Sequence, residues 1–95
     1  NPYYMKDPNL KIEDNKYLKP MNEQDRNKMF EAIENFEMMI NSNDSSELSK
    51  YYDFDFECVD DNDYIYIDDE CSIYKFNIYY FDSQTRTLYY FHHNI

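Results

Sequence analysis

The chain of 95 residues contains no glycine, one alanine, one valine and only nine basic residues. Without glycine it lacks the usual phosphate-cradling loop, and it lacks the sharp turn that an EF-hand calcium loop requires. No run of about 18 apolar residues occurs, so the sequence shows no candidate membrane-spanning helix. Nine bases are too few to build a positive surface, which argues against direct binding to DNA, RNA or an anionic membrane.

Cysteine is also scarce. Cys58 and Cys71 are the only two in the sequence, which is well short of a disulfide framework. We therefore expect two thiols and an intracellular location, in the cytoplasm or the nucleus. A single bridge between neighbouring strands stays open as an alternative. The chain begins at Asn1 rather than at a methionine, so we also expect a processed form or a piece of a longer protein.

The residues that are abundant are acidic or aromatic: 20 Asp and Glu, 12 Tyr and 7 Phe, with a formal charge of −11. An A/T-rich genome accounts for plentiful Asn, Ile, Tyr, Phe and Lys and for the missing glycine. It does not account for the acidity, because lysine codons are equally A/T-rich and lysine is outnumbered by aspartate. The charge is also unevenly placed, at −3 over residues 1–50 and −8 over residues 51–95. Residues 53–70 contain nine acids and no base.

A helix is predicted over residues 22–41. Asn22 is a suitable N-cap, and an apolar stripe follows at helical spacing, formed by Met29, Ile33, Phe36 and Ile40. Residues 1–21 contain three prolines and no helical period, so we expect an extended arm or loop there.

After Lys50 the apolar period changes to two, which is typical of half-buried strands. Strands are predicted near residues 52–58, 64–67, 72–81 and 86–93. The pattern predicts an α+β fold in which the helix packs on a 3–4-stranded antiparallel meander over about 52–93. Residues 22–95 are then a single small domain, whose core must be filled mainly by aromatic side chains.

Three kinds of chemical site are suggested by the residue types, and none fits its usual pattern. No register of the acidic segment fits an EF-hand loop. A zinc site would need Cys58, Cys71, His92 and His93, but the cysteines are far apart and adjacent strand histidines point to opposite faces. Acids around Cys58 are expected to raise the pKa of its thiol, which disfavours nucleophilic catalysis. The sequence therefore predicts no enzyme, no metal and no cofactor.

The acidic surface carries the leading functional hypothesis. We expect a small interaction protein that binds and inhibits a basic partner protein, such as a nucleic-acid-binding protein, by imitating nucleic-acid charge. Tyr64 and Tyr66 would be desolvated contacts within it. The acids expected to contact the partner are Asp53, Asp55, Glu57, Asp60, Asp61, Asp63, Asp68, Asp69 and Glu70. A solvated acidic face that only keeps the chain soluble, and self-association, stay open.

A second hypothesis comes from the C-terminal hairpin. The segment Ile73-Tyr74-Lys75-Phe76-Asn77, then Tyr80-Phe81-Asp82, then Leu88-Tyr89-Tyr90-Phe91 resembles the C-terminal hairpin of the eukaryotic repressor of RNA polymerase III. The basic turn typical of that family is absent from this chain. The resemblance implies a protein-interaction domain of a larger regulatory protein, bound through its sheet edge or N-terminal arm. A cation-binding or structural protein is the third class.

Overall fold

The computed structural model describes residues 2–9, 11–42, 47–68 and 71–94. In chain order they form strand β1 (Tyr3–Asp7), a 3-10 turn (Ile12–Asp14), strand β2 (Lys19–Pro20), helix α1 (Glu23–Asn41), helix α2 (Glu47–Tyr51), a 3-10 turn (Phe56–Cys58), and strands β3 (Tyr64–Ile67), β4 (Lys75–Asp82) and β5 (Thr87–Asn94). One long helix packs on a five-stranded antiparallel sheet, which confirms the predicted α+β class.

Helix α1 begins where the sequence predicts it. The side-chain oxygen of Asn22 accepts a hydrogen bond from the backbone N–H of Asp25 at 2.9 Å, which satisfies one of the free donors of the first turn. The carboxylate of Asp25 also lies at the positive end of the helix dipole. One face of the helix is buried and holds Met29, Ala32, Ile33, Phe36 and Ile40.

The sheet has the strand order β1-β5-β4-β3-β2. Strands β3, β4 and β5 are consecutive and form the meander, with Ile65 opposite Tyr80 and Ile78 opposite Phe91. The two outer strands come from the N-terminal segment: β1 pairs with β5 and β2 pairs with β3. The chain therefore runs from one edge of the sheet to the other between β1 and β2.

Because side chains alternate along a strand, the register assigns each strand residue to one of two faces. The helix-side face is apolar and is covered by α1. There the ring of Phe36 lies 6.1 Å from that of Phe76 and 5.9 Å from that of Phe91. The buried apolar residues of this face are Tyr4, Ile65, Phe76, Ile78, Tyr80 and Phe91. Aromatic rings thus fill much of the core, as the composition predicts.

Residues 52–58 do not form the first strand predicted by their alternating pattern. They lie across the helix-side face, where the ring of Phe54 packs edge-on against Tyr89 and Phe91 at 4.9 Å. The Asp55 carboxylate accepts a hydrogen bond from the backbone N–H of Glu57 and so begins a 3-10 turn in place of a strand ladder. Phe54 is buried and its acidic neighbours are exposed because the segment packs on the sheet without joining it.

The N-terminal segment, expected as an extended arm or loop, is part of the sheet. Besides β1 and β2, it contributes residues 11–18, which pass over the sheet face opposite the helix. The Tyr17 ring lies 6.1 Å from the Tyr66 ring, and the Glu13 carboxylate lies 3.7 Å from the Arg86 guanidinium. The crossing covers the end of the sheet where Phe81 and Leu88 are buried.

The missing glycine has a local consequence in the turn between β4 and β5. Arg86 takes a positive φ of 57°, a conformation that costs a residue with a Cβ roughly 1–2 kcal/mol. Its guanidinium lies 5.9 Å over the Phe81 ring and pairs with Glu13, so the strained residue also ties the hairpin to the crossing segment.

Candidate binding surfaces

The first surface is the outer side of the layer that covers the helix-side face. We call this the helix-side layer, and it consists of α1, α2 and residues 52–61. Asp53, Asp55 and Glu57 are all exposed on it, because Phe54 between them points into the core. The sequence predicts their exposure, although it places them on a strand.

Asp53 is not a free charge. Its carboxylate accepts hydrogen bonds from the Lys6 ammonium and, at 2.8 Å, from the Tyr4 hydroxyl, both on β1. The hydrogen bond from Lys6 is the largest effect that holds the pKa of Asp53 below its ordinary value. Asp53 therefore contacts β1 at the edge of the sheet, and the Lys6 cation offsets part of its field.

Within the acidic turn before β3, the structure separates residues that look alike in sequence. Asp60 and Asp61 are exposed, and the Asp61 carboxylate lies 4.0 Å from the Arg26 guanidinium. Asp63, by contrast, is buried, with 2% of its surface accessible. Asp63 thus lies inside the protein and not on the binding surface predicted for it.

The Asp63 carboxylate is fully hydrogen-bonded, which explains why an acid is tolerated there. It accepts hydrogen bonds from the backbone N–H of Asp60 at 2.7 Å, from the backbone N–H of Ser83 at 2.9 Å and from the Ser83 hydroxyl at 3.0 Å. The Tyr80 hydroxyl donates a further short hydrogen bond to it. Burial, then this hydrogen bond, raise the pKa of Tyr80. Asp63 therefore joins the turn before β3 to the turn after β4.

The sequence interpretation missed the acids of α1. Glu31 and Glu34 are exposed on the side of the helix opposite its buried stripe. Beside them the ring of Phe30, 46% exposed, lies 5.0 Å from the ring of Phe56. Glu37 accepts a hydrogen bond from the Tyr52 hydroxyl at 2.6 Å. The helical spacing of the glutamates and the position of Phe30 beside the buried stripe were the signals that could have identified this surface.

The charge distribution follows the layers. Residues 23–42 and 47–61, which form the helix-side layer, carry eleven acids and three bases. Residues 2–20 carry three acids and four bases. The acidity assigned by sequence to the C-terminal half is therefore better described as a property of the helix-side layer, since Asp63 and Asp82 of that half are buried.

The second surface is the sheet face opposite the helix, which we call the tyrosine face. Among its strand positions only Asp7 and Lys75 are charged, and they have opposite signs. By register, the face is formed by Tyr3, Met5, Asp7, Pro20, Tyr64, Tyr66, Lys75, Asn77, Tyr79, Phe81, Leu88, Tyr90, His92 and Asn94. The open face of an antiparallel sheet usually carries polar or charged side chains, so its tyrosine content is unusual.

The tyrosines form a continuous row across the sheet. From the crossing segment to β1, successive ring centroids are 6.1 Å apart for Tyr17 and Tyr66, 6.0 Å for Tyr66 and Tyr79, 4.6 Å for Tyr79 and Tyr90, and 5.9 Å for Tyr90 and Tyr3. Tyr66, Tyr79 and Tyr90 are half-buried, whereas Tyr3 and Tyr17 are exposed. The row is therefore a rigid aromatic surface that reaches solvent.

A hydrogen-bond network holds one side of this row in place. The side-chain oxygen of Asn77 accepts a hydrogen bond from the Tyr90 hydroxyl at 2.7 Å, and Nδ1 of His92 lies 2.8 Å from the same oxygen. The Asn77 amide donates to the Asp68 carboxylate at 3.2 Å. Asp68 is thus at the border of the tyrosine face. Asp69 and Glu70, the other acids predicted for this turn, lie outside the described residues.

The predicted site does not come together as one surface. Asp53, Asp55 and Glu57 belong to the helix-side layer, whereas Tyr64 and Tyr66 point away from it on the tyrosine face. Asp60 and Asp61 lie at the end of the helix-side layer, in the turn before β3. The structure therefore divides the predicted residues between two surfaces on opposite sides of the sheet.

The groups considered for catalysis and metal binding are also dispersed. Cys58 and Cys71 are free thiols, and burial is the main cause that raises the pKa of each. His92 lies on the tyrosine face, and His93 is buried on the helix side against Phe76. In the part of the chain that the structure describes, no three His, Cys, Asp or Glu side chains are placed to hold a metal ion. None of the helices in the described ranges has the length and apolar character needed to cross a membrane.

No protein-family model, curated protein or solved structure matches this chain. The resemblance of the C-terminal hairpin to the RNA polymerase III repressor family thus has no support beyond the hairpin residues themselves.

Proposed function

We propose that this chain is a small, non-enzymatic interaction protein that binds and inhibits a basic partner protein through its helix-side layer. The observation that carries the proposal is the concentration of eleven acids against three bases in the residues that form this layer. Asp55, Glu57 and Asp61 supply exposed charge beside the glutamates of α1. Such a field accelerates association with an oppositely charged surface and disfavours acidic partners.

The exposed ring of Phe30 and the half-buried ring of Phe56 beside it support a contact surface over a merely solvated one. Phe30 and Phe56 lie among the acids, and with Ile33, Glu34 and Glu37 they line a shallow cleft. Interfaces commonly combine a desolvated aromatic centre with a polar rim. A basic partner that places an apolar side chain or the stem of an arginine against Phe30 would contact both the aromatic centre and the acidic rim.

The arrangement of the helix acids supports a nucleic-acid-mimicking form of this function. Glu31, Glu34 and Glu37 follow at three-residue intervals, so each rises about 4.5 Å along the axis. This spacing is closer to the 3.4 Å axial interval between phosphates of one DNA strand than the roughly 6.6–6.8 Å expected for alternate residues of a strand. A basic groove that binds a phosphate backbone is therefore a suitable partner surface.

The second candidate is a protein-interaction domain bound through the sheet edge. Strand β1 is an outer strand, and its residues Tyr3 and Met5 are 48% and 39% exposed. An extended peptide pairing with β1 would gain main-chain hydrogen bonds and side-chain contacts with these two residues. This mode does not depend on the acids of the helix-side layer.

Charge reversal distinguishes the two candidates. The partner is first isolated by affinity capture on the wild-type chain at low salt, and its association rate is then measured with the purified chain. For Glu31→Lys/Glu34→Lys we expect an association rate about tenfold lower and a weaker dependence on salt, because the steering field is reduced. The matched control is Asp7→Lys/Glu13→Lys, which changes the net charge equally but lies outside the helix-side layer. The control should bind within about twofold of the wild type.

Three results would contradict the proposal: capture that is insensitive to salt, equal loss of rate in both double variants, or a captured partner without a basic surface. Loss of binding on Met5→Pro, with both charge variants unaffected, would establish the sheet-edge candidate instead, because proline removes a backbone donor from β1.

A further inference from the structure

The tyrosine face is a partly exposed aromatic surface whose strand positions include only two charged residues, of opposite sign, in a chain whose charged fraction is 31%. We propose that it is a homodimer interface, in which two copies of the chain pack through their tyrosine faces. This inference does not rest on the proposed function, because it concerns the opposite side of the sheet. An exposed aromatic area bordered by polar groups is typical of a protein interaction site.

The geometry of the row suits such a contact. The rings of Tyr79 and Tyr90 are stacked at the centre of the sheet, on its two longest strands, and Tyr66 and Tyr3 extend the row to either side. Tyrosine offers a large contact area and loses little conformational freedom on binding. A cleft of about 320 Å³ lies between Tyr17 and the sheet, and tyrosine rings of a second copy can pack into it.

The charge distribution favours a second copy of the chain as the partner that binds the tyrosine face. The strand positions of the face include one acid and one base, and the Glu13–Arg86 pair over its end is also neutral, so the face has little net charge to attract a basic or an acidic partner. A matching surface must also have little net charge, and the tyrosine face of a second copy meets this condition. Packed face to face, two sheets lie about 10 Å apart, and each acidic helix-side layer faces outward beyond its own sheet. The two layers are then separated by more than the Debye length of about 8 Å at physiological ionic strength, so their repulsion is largely screened.

A contact through the helix-side layer would instead bring two strongly acidic surfaces together. Face-to-face packing also gives a two-fold, isologous interface, the commonest arrangement of homodimers, in which each copy supplies the same row of tyrosines. The dimer displays two acidic layers on opposite sides, so it can engage two basic sites at once.

The test is the mass of the full chain in solution, measured by sedimentation equilibrium from micromolar to millimolar concentration. We expect the wild type to approach twice its 11.8 kDa monomer mass as concentration rises. Tyr79→Arg places one positive charge from each copy at the centre of the interface, so its dissociation constant should rise about tenfold or more. Tyr51→Arg is the matched control. It makes the same substitution at a tyrosine that is 53% exposed on α2, in the helix-side layer, and it should dimerise like the wild type.

A measurement on the wild type keeps the proposal testable if Tyr79→Arg does not fold. Tyrosine nitration at low and high protein concentration should show that Tyr66, Tyr79 and Tyr90 become protected as the dimer forms, whereas Tyr51 does not. A wild type that stays monomeric at millimolar concentration overturns the proposal and leaves the face to another uncharged partner. Dissociation caused by Tyr51→Arg, or protection of Tyr51 alone, also overturns it because the contact would then lie on the other side.

Discussion

The helix-side layer and the tyrosine face are the two outer surfaces of one small sheet structure, yet they are built from different side chains. The first contains most of the exposed acids, and among its aromatic side chains only Phe30 and Tyr51 are exposed. The second has a row of tyrosines and only two charged strand positions. The acid excess and the tyrosine excess are therefore separate properties. One acts at long range through its field, and the other acts only at contact.

Pairs of identical residues close together in sequence make this comparison testable, because the fold gives their members different environments. Asp61 and Asp63 differ in burial, His92 and His93 lie on opposite faces of β5, and Asp53 and Asp55 differ in their partners.

The largest effect is expected for the buried acid. Asp63→Ala leaves the backbone N–H groups of Asp60 and Ser83 without their acceptor, and it leaves the Tyr80 hydroxyl with only its longer hydrogen bond, 3.3 Å, to the Cys58 carbonyl. Unsatisfied buried groups cost about 1–3 kcal/mol each, so we expect the free energy of unfolding to fall by about 3 kcal/mol or more. Asp61→Ala should change it by less than about 0.5 kcal/mol, because Asp61 is exposed. Urea unfolding of both variants measures the difference.

Equal effects of the two substitutions would contradict this prediction, since they would place Asp63 among the solvated acids. Asp63→Asn provides a further check. It retains one acceptor oxygen, so its loss of stability should be smaller than that of Asp63→Ala.

The regular elements could be predicted because their signals are local. The cap at Asn22 and the apolar stripe of α1 specify the helix within a few turns, and the change of the apolar period to two predicts strands near β3, β4 and β5. The strand predicted over residues 52–58 was wrong because the position of this segment depends on contacts that are distant in sequence. Residues 52–58 alternate in burial whether they pair within a sheet or lie on one, so the period did not distinguish these cases.

The candidate surfaces also depend on contacts between residues that are distant in sequence. Asp63 stands in a turn rich in acids and resembles a solvated residue, and only its spatial neighbours Tyr80 and Ser83 show that it is buried. The separation of Tyr66 from Asp55 likewise follows from the sheet register, which the sequence does not specify. The proline-containing arm gives no sign that β1 will pair with the last strand of the chain.

The second effect is a pH dependence that arises from His93. Its ring is buried, 4% exposed, and both ring nitrogens lack a hydrogen-bond partner, so burial lowers its pKa below the usual 6.5. As the pH falls through about 6.5, the unfolded chain binds a proton that the folded chain resists. The free energy of unfolding should therefore decrease, with a slope of at most about 1.4 kcal/mol per pH unit, until the folded histidine is also protonated.

Unfolding measured between about pH 5 and pH 8, the range in which histidine titrates, tests this assignment with two matched variants. His93→Phe should remove the slope, because a neutral ring of similar shape then packs against Phe76. His92→Phe should retain it, because His93 is still present. A slope that survives in His93→Phe assigns the proton uptake to another group and contradicts the prediction.

The smallest effect is expected for Asp53, the acid of the helix-side layer that pairs with Lys6. Lys6→Met removes the cation that lowers the pKa of Asp53, so that pKa should rise toward its ordinary value. Because both side chains are substantially exposed, the loss of stability at neutral pH should be below about 1 kcal/mol. The contribution is present above the unfolded-state pKa of Asp53, and it is lost as the pH falls through the lower folded-state pKa. The wild type and Lys6→Met should therefore differ at pH 7 and become equally stable once Asp53 is protonated.

The neighbouring acid provides the control for this pair. Asp55→Asn keeps the acceptor for the backbone N–H of Glu57, so it should leave stability unchanged at both pH values. NMR titration of the Asp53 carboxyl carbon, together with unfolding at the two pH values, measures both quantities. A loss of several kcal/mol in Lys6→Met would mean that the ion pair holds residues 52–58 on the sheet. A small loss would mean that the buried ring of Phe54 holds residues 52–58 on the sheet. The exposed charges of the helix-side layer are then not required for folding and can contact a partner.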